Sequence, residues 1–121
     1  MVIEALPLAL SNKSGGNMEE KIVKFPHWAQ KISVTLKRVT TYIDKLEFYL
    51  NGQLITLSAN ELSATFSFQP NSHLRVMAKP QGQKPWRLEC AFYVNGQLLT
   101  ADERKLGGGQ TYDQTFLLIQ K

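Results

Sequence analysis

The sequence holds a single cysteine, Cys90, only two histidines, His27 and His73, and no Cys-x-x-Cys. One thiol excludes an internal disulfide framework and any multi-thiolate zinc or iron–sulfur centre, and it fits a reducing, cytoplasmic setting. Long apolar runs are missing as well: nothing approaches the roughly 20 residues that a membrane-crossing helix needs, so no membrane insertion is expected. Residues 2–10 have no basic leader, carry Glu4 and are interrupted by Pro7, which disfavours a secretory signal. No nucleophile elbow surrounds any serine. Gly107-Gly108-Gly109 is followed by Gln110-Thr111, not by the Lys-Ser/Thr of a phosphate-binding loop, and reads as a flexible connection before the last strand. These absences predict a chain that is not an enzyme and carries neither cofactor nor metal.

What is present suits one domain. The 121 residues are 43% hydrophobic and 20% charged, enough apolar material for one core and too short for two. Residues 11–17 are small and polar with two glycines, so residues 1–17 read as a flexible N-terminal arm or linker and residues 18–121 as the folded domain. Fourteen basic residues against ten acidic ones leave a formal charge of +4, which permits attraction to acidic surfaces without demanding it.

Side chains alternate with a period of two, the spacing at which neighbours point to opposite faces of a sheet. Ile32, Val34 and Leu36 alternate with Lys31, Ser33, Thr35 and Lys37; Leu62, Ala64, Phe66 and Phe68 with Ser63, Thr65 and Ser67; Leu74, Val76 and Ala78 with His73, Arg75, Met77 and Lys79. The unbroken apolar run 116–119 predicts a strand covered on both sides. Together these segments predict an all-β fold: a single antiparallel β-sandwich, or a partly closed barrel, of about eight strands.

A repeat organises the chain. Phe48-Tyr49-Leu50-Asn51-Gly52-Gln53-Leu54-Ile55 recurs as Phe92-Tyr93-Val94-Asn95-Gly96-Gln97-Leu98-Leu99. Asn-Gly between alternating hydrophobics is a strong hairpin signal, because a type I′ turn needs positive φ at both central residues. Two Asn-Gly hairpins are therefore expected. Their register sets Tyr49 against Leu54, Phe48 against Ile55 and Leu46 against Leu57, and in the second copy Tyr93 against Leu98, Phe92 against Leu99 and Cys90 against Ala101. Cys90 then points inward with Leu88, Phe92 and Val94, as a small inert packing residue.

The succession from residue 46 to 103 is an Asn-Gly hairpin, an alternating strand ending at Phe68, a second one from Leu74 to Ala78, a basic loop, and then Phe-Tyr-Val-Asn-Gly. It resembles one half of the Fas apoptotic inhibitory molecule family of compact β-sandwich domains. The resemblance implies a non-enzymatic interaction fold and transfers no site residue.

Two candidate surfaces follow. Tyr49 with Leu54 and Tyr93 with Leu98 make two equivalent apolar pairs on the expected outer face, rimmed by Lys45, Glu47, Arg87 and Glu89. They suit a protein partner or a homodimer contact, although such pairs also stabilise an isolated hairpin by ~0.2–1 kcal/mol. The second surface rests on a charge gap: no acidic residue falls between Glu61 and Glu89, while Arg75, Lys79, Lys84 and Arg87 do, with Trp86 among them. If strands 73–79 and 86–94 are neighbours, these residues form a basic patch whose indole stacks a base, which makes a single-stranded nucleic-acid partner the alternative; the plainer reading is that Trp86 caps the core.

Overall fold

A computed structural model describes residues 19–55 and 62–121; the arm expected over 1–17 and the placement of Leu57 lie outside them. The described residues form nine strands, where about eight were expected: β1 (Lys21–Phe25), β2 (Lys31–Lys37), β3 (Ile43–Leu50), β4 (Gln53–Leu54), β5 (Ser63–Ser67), β6 (Ser72–Pro80), β7 (Trp86–Val94), β8 (Gln97–Leu106) and β9 (Tyr112–Gln120). They make a five-stranded sheet in the order β1-β9-β6-β3-β4 and a four-stranded sheet in the order β5-β2-β7-β8. No strand belongs to both sheets among the described residues, so the partly closed barrel gives way to a two-sheet sandwich. Pairing is antiparallel except between β1 and β9, which run parallel. These two strands come from opposite ends of the described chain, so no tight turn dictates their relative direction.

Alternation builds the core. On β6, Leu74, Val76 and Ala78 are fully buried while His73, Arg75 and Lys79 are exposed. Phe25, Phe48, Val76 and Phe116 from one sheet join Ile32, Val34, Leu88 and Phe92 from the other in one cluster. The Phe92 ring meets Phe116 edge-on at 4.8 Å and Phe25 at 6.3 Å, which locks the sheets together. Each such side chain contributes about 1.5–3 kcal/mol by leaving water.

The repeated segment has a backbone explanation. Asn51 and Gly52 have φ of 50° and 84°, and Asn95 and Gly96 have 48° and 88°. Around them Leu50 pairs with Gln53, and Val94 with Gln97. Each asparagine also grips a third strand. Asn51 N–H donates to His73 O (2.8 Å) while its Oδ1 accepts from His73 N–H (2.9 Å). Asn95 does the same to Lys31, at 2.9 and 3.1 Å. One device is thus used twice, once to seat β3 and β4 on β6 and once to seat β7 and β8 on β2.

The second register departs from the sequence reading. Tyr93 faces Leu98, but a bulge at Leu99 sets Phe92 against Thr100 and Cys90 against Asp102, not against Leu99 and Ala101. Without the bulge, β8 would turn Glu103 and Lys105 inward and Leu106 outward. With it, Leu106 enters the core at 5% exposure and Asp102 and Arg104 turn in beside it.

Candidate functional site

With the core filled, each sheet keeps one outward face. On the five-stranded sheet a row runs Leu54, Tyr49, Arg75, Thr115 across four strands, and the next row runs His73, Leu117, Ile22. Leu54 and Ile22 are each 60% exposed, and Tyr49, Leu117, Ile119 and Met77 are partly exposed. The run 116–119 is therefore not covered on both sides: Phe116 and Leu118 point into the core, Leu117 and Ile119 outward.

Arg75 and His73, between these apolar groups, are each paired, whereas Lys24, opposite Ile119, and Lys79 have no ion pair among the described residues. Arg75 forks onto Asp113 (Nε to Oδ1 2.9 Å, Nη2 to Oδ2 2.7 Å) and His73 Nδ1 lies 2.9 Å from Glu20 Oε2. The Asp113 bond raises the Arg75 pKa. The Tyr49 hydroxyl bonds the Glu47 carboxylate, which keeps the phenol protonated above its usual range, with Arg75 pulling slightly the other way.

Tyr93 and Leu98 do not extend this surface. β7 belongs to the other sheet, so they face the opposite side of the molecule, with Arg87 and Glu89, whereas Lys45 and Glu47 accompany Tyr49. Their surroundings are polar: Ser33, Thr35, Ser63, Thr65 and Ser67 face outward beside them, and Ser33 Oγ lies 3.0 Å from Thr65 Oγ1. Lys37 Nζ sits 4.8 Å above the Tyr93 ring and partly occupies its face.

The basic patch does not assemble. β6 and β7 are in different sheets, which places Arg75 and Lys79 on one outer face and Arg87 on the other, with Lys84 in the connecting loop. Arg75 is tied to Asp113, and Arg87 Nη2 is 3.7 Å from Glu103. Trp86 is 3% exposed and its indole N–H donates to Gln110 O (2.8 Å), so it caps the core edge and offers no stacking face. The glycines beside it are packed, not slack. A Cβ on Gly108 would stand 2.2 Å from Gln83 O, and Gly107 N–H is taken by Gln110 Oε1.

A second constellation lies at the seam between the edge strands β1 and β8. Asp102, 8% exposed, accepts from Tyr112 O–H (2.9 Å) and from the Lys21 ammonium, with Arg104 Nε at 3.5 Å. Fully buried Gln114 accepts from Arg104 Nη2 (3.1 Å) and donates to Glu19 O (2.6 Å) and Thr115 O (2.9 Å). Alongside is a pocket of about 120 Å³ between Val23, Phe92, Thr100 and Phe116. At about 30 Å³ per water it admits a few waters, far below the ~300 Å³ at which small-molecule sites begin. Cys90 is sealed beneath, and burial pushes its thiol and the Tyr112 phenol upward, so the thiolate that chemistry would need is suppressed. Among the described residues no group of three or more His, Cys, Asp or Glu is placed to hold a metal ion.

The sequence reading passed over Ile22, Leu117, Ile119 and Asp102. Ile22 lies out of phase with Val23 and Phe25 in Lys-Ile-Val-Lys-Phe, which is the available sign that it faces outward. Asp102 has no such sign, because its inward turn depends on the bulge.

No family model matches the chain, and neither a curated protein nor a solved structure matches it.

Proposed function

We propose that the protein is a small non-enzymatic β-sandwich binding module that engages a protein partner or a second copy of itself through the outer face of the five-stranded sheet. One observation carries this reading: Ile22 and Leu54, each 60% exposed, share that face with Tyr49, Leu117 and Ile119, and Arg75 and His73 between them are each held by a carboxylate. Apolar groups interspersed with Arg75 and His73 in their ion pairs suit a protein surface, since burying them gains hydrophobic energy while those two charges keep their partners. The resemblance to the Fas apoptotic inhibitory molecule family points the same way. The single-stranded nucleic-acid alternative keeps Lys79, Lys84, Arg75 and Arg87 as dispersed charges but has lost Trp86 as a platform.

The test uses two face-specific variants, Leu54→Lys with Leu117→Lys, and Leu98→Lys with Thr65→Lys. Sedimentation across a concentration series measures self-association, and capture from native extract with and without nuclease measures partner binding. The first pair abolishes association at least tenfold while the second leaves it within a factor of about two. Equal loss from both pairs, or capture that disappears with nuclease and falls steeply with salt, overturns the reading.

A further inference from the structure

The repeat places an Asn-Gly dipeptide at two strand connections, and this dipeptide is prone to a spontaneous reaction. The glycine backbone nitrogen, unhindered by a Cβ, loses its proton to solvent base and attacks the asparagine Cγ. The Cγ–Nδ2 bond breaks and ammonia leaves. Water then opens the resulting five-membered imide at either carbonyl, giving aspartate or isoaspartate. The step needs only water and base and involves no redox change.

Ring closure requires the asparagine side chain to swing toward the amide that follows it. In this fold both side chains are held elsewhere. Asn51 Oδ1 is fixed on His73 N–H at 2.9 Å and Asn95 Oδ1 on Lys31 N–H at 3.1 Å, and each asparagine N–H is tied to the carbonyl of the same residue. Reaction must therefore wait for a local opening that releases the grip.

The two grips are supported very differently. Beyond Asn51-Gly52, β4 contributes, among the described residues, only Gln53 and Leu54, both exposed, at the edge of its sheet, backed by Ile55 N–H to Phe48 O at 2.8 Å. Beyond Asn95-Gly96, β8 is paired to β7 from Gln97 to Leu106 with a break at the Leu99 bulge, and the Leu106 side chain is in the core. Among the described residues, opening the first connection breaks two strand pairs and the Ile55–Phe48 hydrogen bond, whereas opening the second disturbs a whole strand and the Asp102 seam.

We propose that Asn51-Gly52 is a spontaneous deamidation site of the folded protein and that Asn95-Gly96, the same dipeptide in nearly the same sequence, is protected by its sheet. The flanks are closely matched, Phe-Tyr before and Gln-Leu after, with Leu50 exchanged for Val94 and, three residues past the glycine, Ile55 for Leu99, so unfolded-chain reactivity is closely matched too. The rate difference in the folded chain reads local opening. Isoaspartate at position 51 inserts an extra backbone methylene at the turn, which unseats Leu54 from its place opposite Tyr49. That consequence rests on the binding reading given above; the modification itself does not.

The experiment incubates the full folded chain in warm, mildly alkaline buffer and quantifies aspartate and isoaspartate at each site by peptide mass mapping, with a parallel sample in denaturant. Amide hydrogen exchange at His73 and Lys31 is followed alongside. Asn51 converts at least roughly fivefold faster than Asn95 in the folded chain, the ratio falls to near one in denaturant, and the His73 amide exchanges faster than that of Lys31. Equal or inverted folded-state rates, no conversion at Asn51, or a difference that persists unchanged in denaturant overturns the proposal. Failure here leaves the face variants above unaffected, so the two readings stand or fall separately.

Discussion

The two outer faces of the sandwich are made from the same alternating strand grammar and differ in what occupies the outward positions. On the four-stranded sheet Ser33, Thr35, Ser63, Thr65 and Ser67 share these positions with charged residues such as Lys31, Arg87, Glu89, Glu103 and Lys105, and Lys37 sits over the Tyr93 ring. On the five-stranded sheet they include Ile22, Tyr49, Leu54, Leu117 and Ile119, with Arg75 and His73 each held by a carboxylate. A face of hydroxyls and charges loses little by staying in water, whereas a face with several large apolar groups gains by being covered. The near-identical Tyr-Leu pairs on the two faces thus differ in meaning because of their neighbours.

The largest effect that probes this contrast lies between two adjacent residues of β9. Phe116 is 1% exposed and points into the core, while Leu117 points outward. Phe116→Ala costs about 3–5 kcal/mol in denaturant unfolding and Leu117→Ala under about 1 kcal/mol. A comparable loss from both would mean that the outer face is already covered in the isolated chain.

Alkaline pH sharpens the contrast through the buried groups. Burial raises the Cys90 thiol from its ordinary 9.0 and the Tyr112 phenol from its ordinary 10.0, so the folded state retains protons that the unfolded chain releases. Their contribution to stability is complete below pH 9.0 and is lost as pH rises above it, each group adding a slope that approaches ~1.4 kcal/mol per pH unit. Thermal melts against pH should show the decline, shifted to begin near 10.0 by Cys90→Ala. An unchanged melting profile through this range would contradict the burial of both groups.

A smaller effect compares the two connections that serve the two faces. A Cβ at Gly52 or Gly96 meets open space, so a substitution costs only backbone strain at positive φ, about 1–3 kcal/mol. Gly96→Val is expected to destabilise more than Gly52→Val, because β8 carries Leu106 into the core whereas β4 is short and exposed. Parent-like melting of both variants would remove the register on which the face assignments rest.

Which residues point inward was legible from alternation alone, as Leu74, Val76, Ala78 and Cys90 illustrate. Which strands are neighbours was not, because a period of two fixes a face and says nothing about the strand alongside. For that reason Arg75 and Arg87, and likewise Tyr49 and Tyr93, were drawn together and proved to lie on opposite faces. The inward turn of Asp102 required a bulge whose only trace in sequence is the need to bury Leu106. The unbroken run 116–119 predicts a doubly covered strand, yet its outward half, Leu117 and Ile119, belongs to an open face.

The most direct measurement is hydroxyl-radical footprinting of the full chain at low and high protein concentration, and with the captured partner bound. Side-chain oxidation at Ile22, Leu54, Leu117 and Ile119 should fall on association while that at Leu98 stays constant. Protection centred on Leu98 and Tyr93, or protection spread evenly over both faces, would contradict the assignment of the interface to the five-stranded sheet.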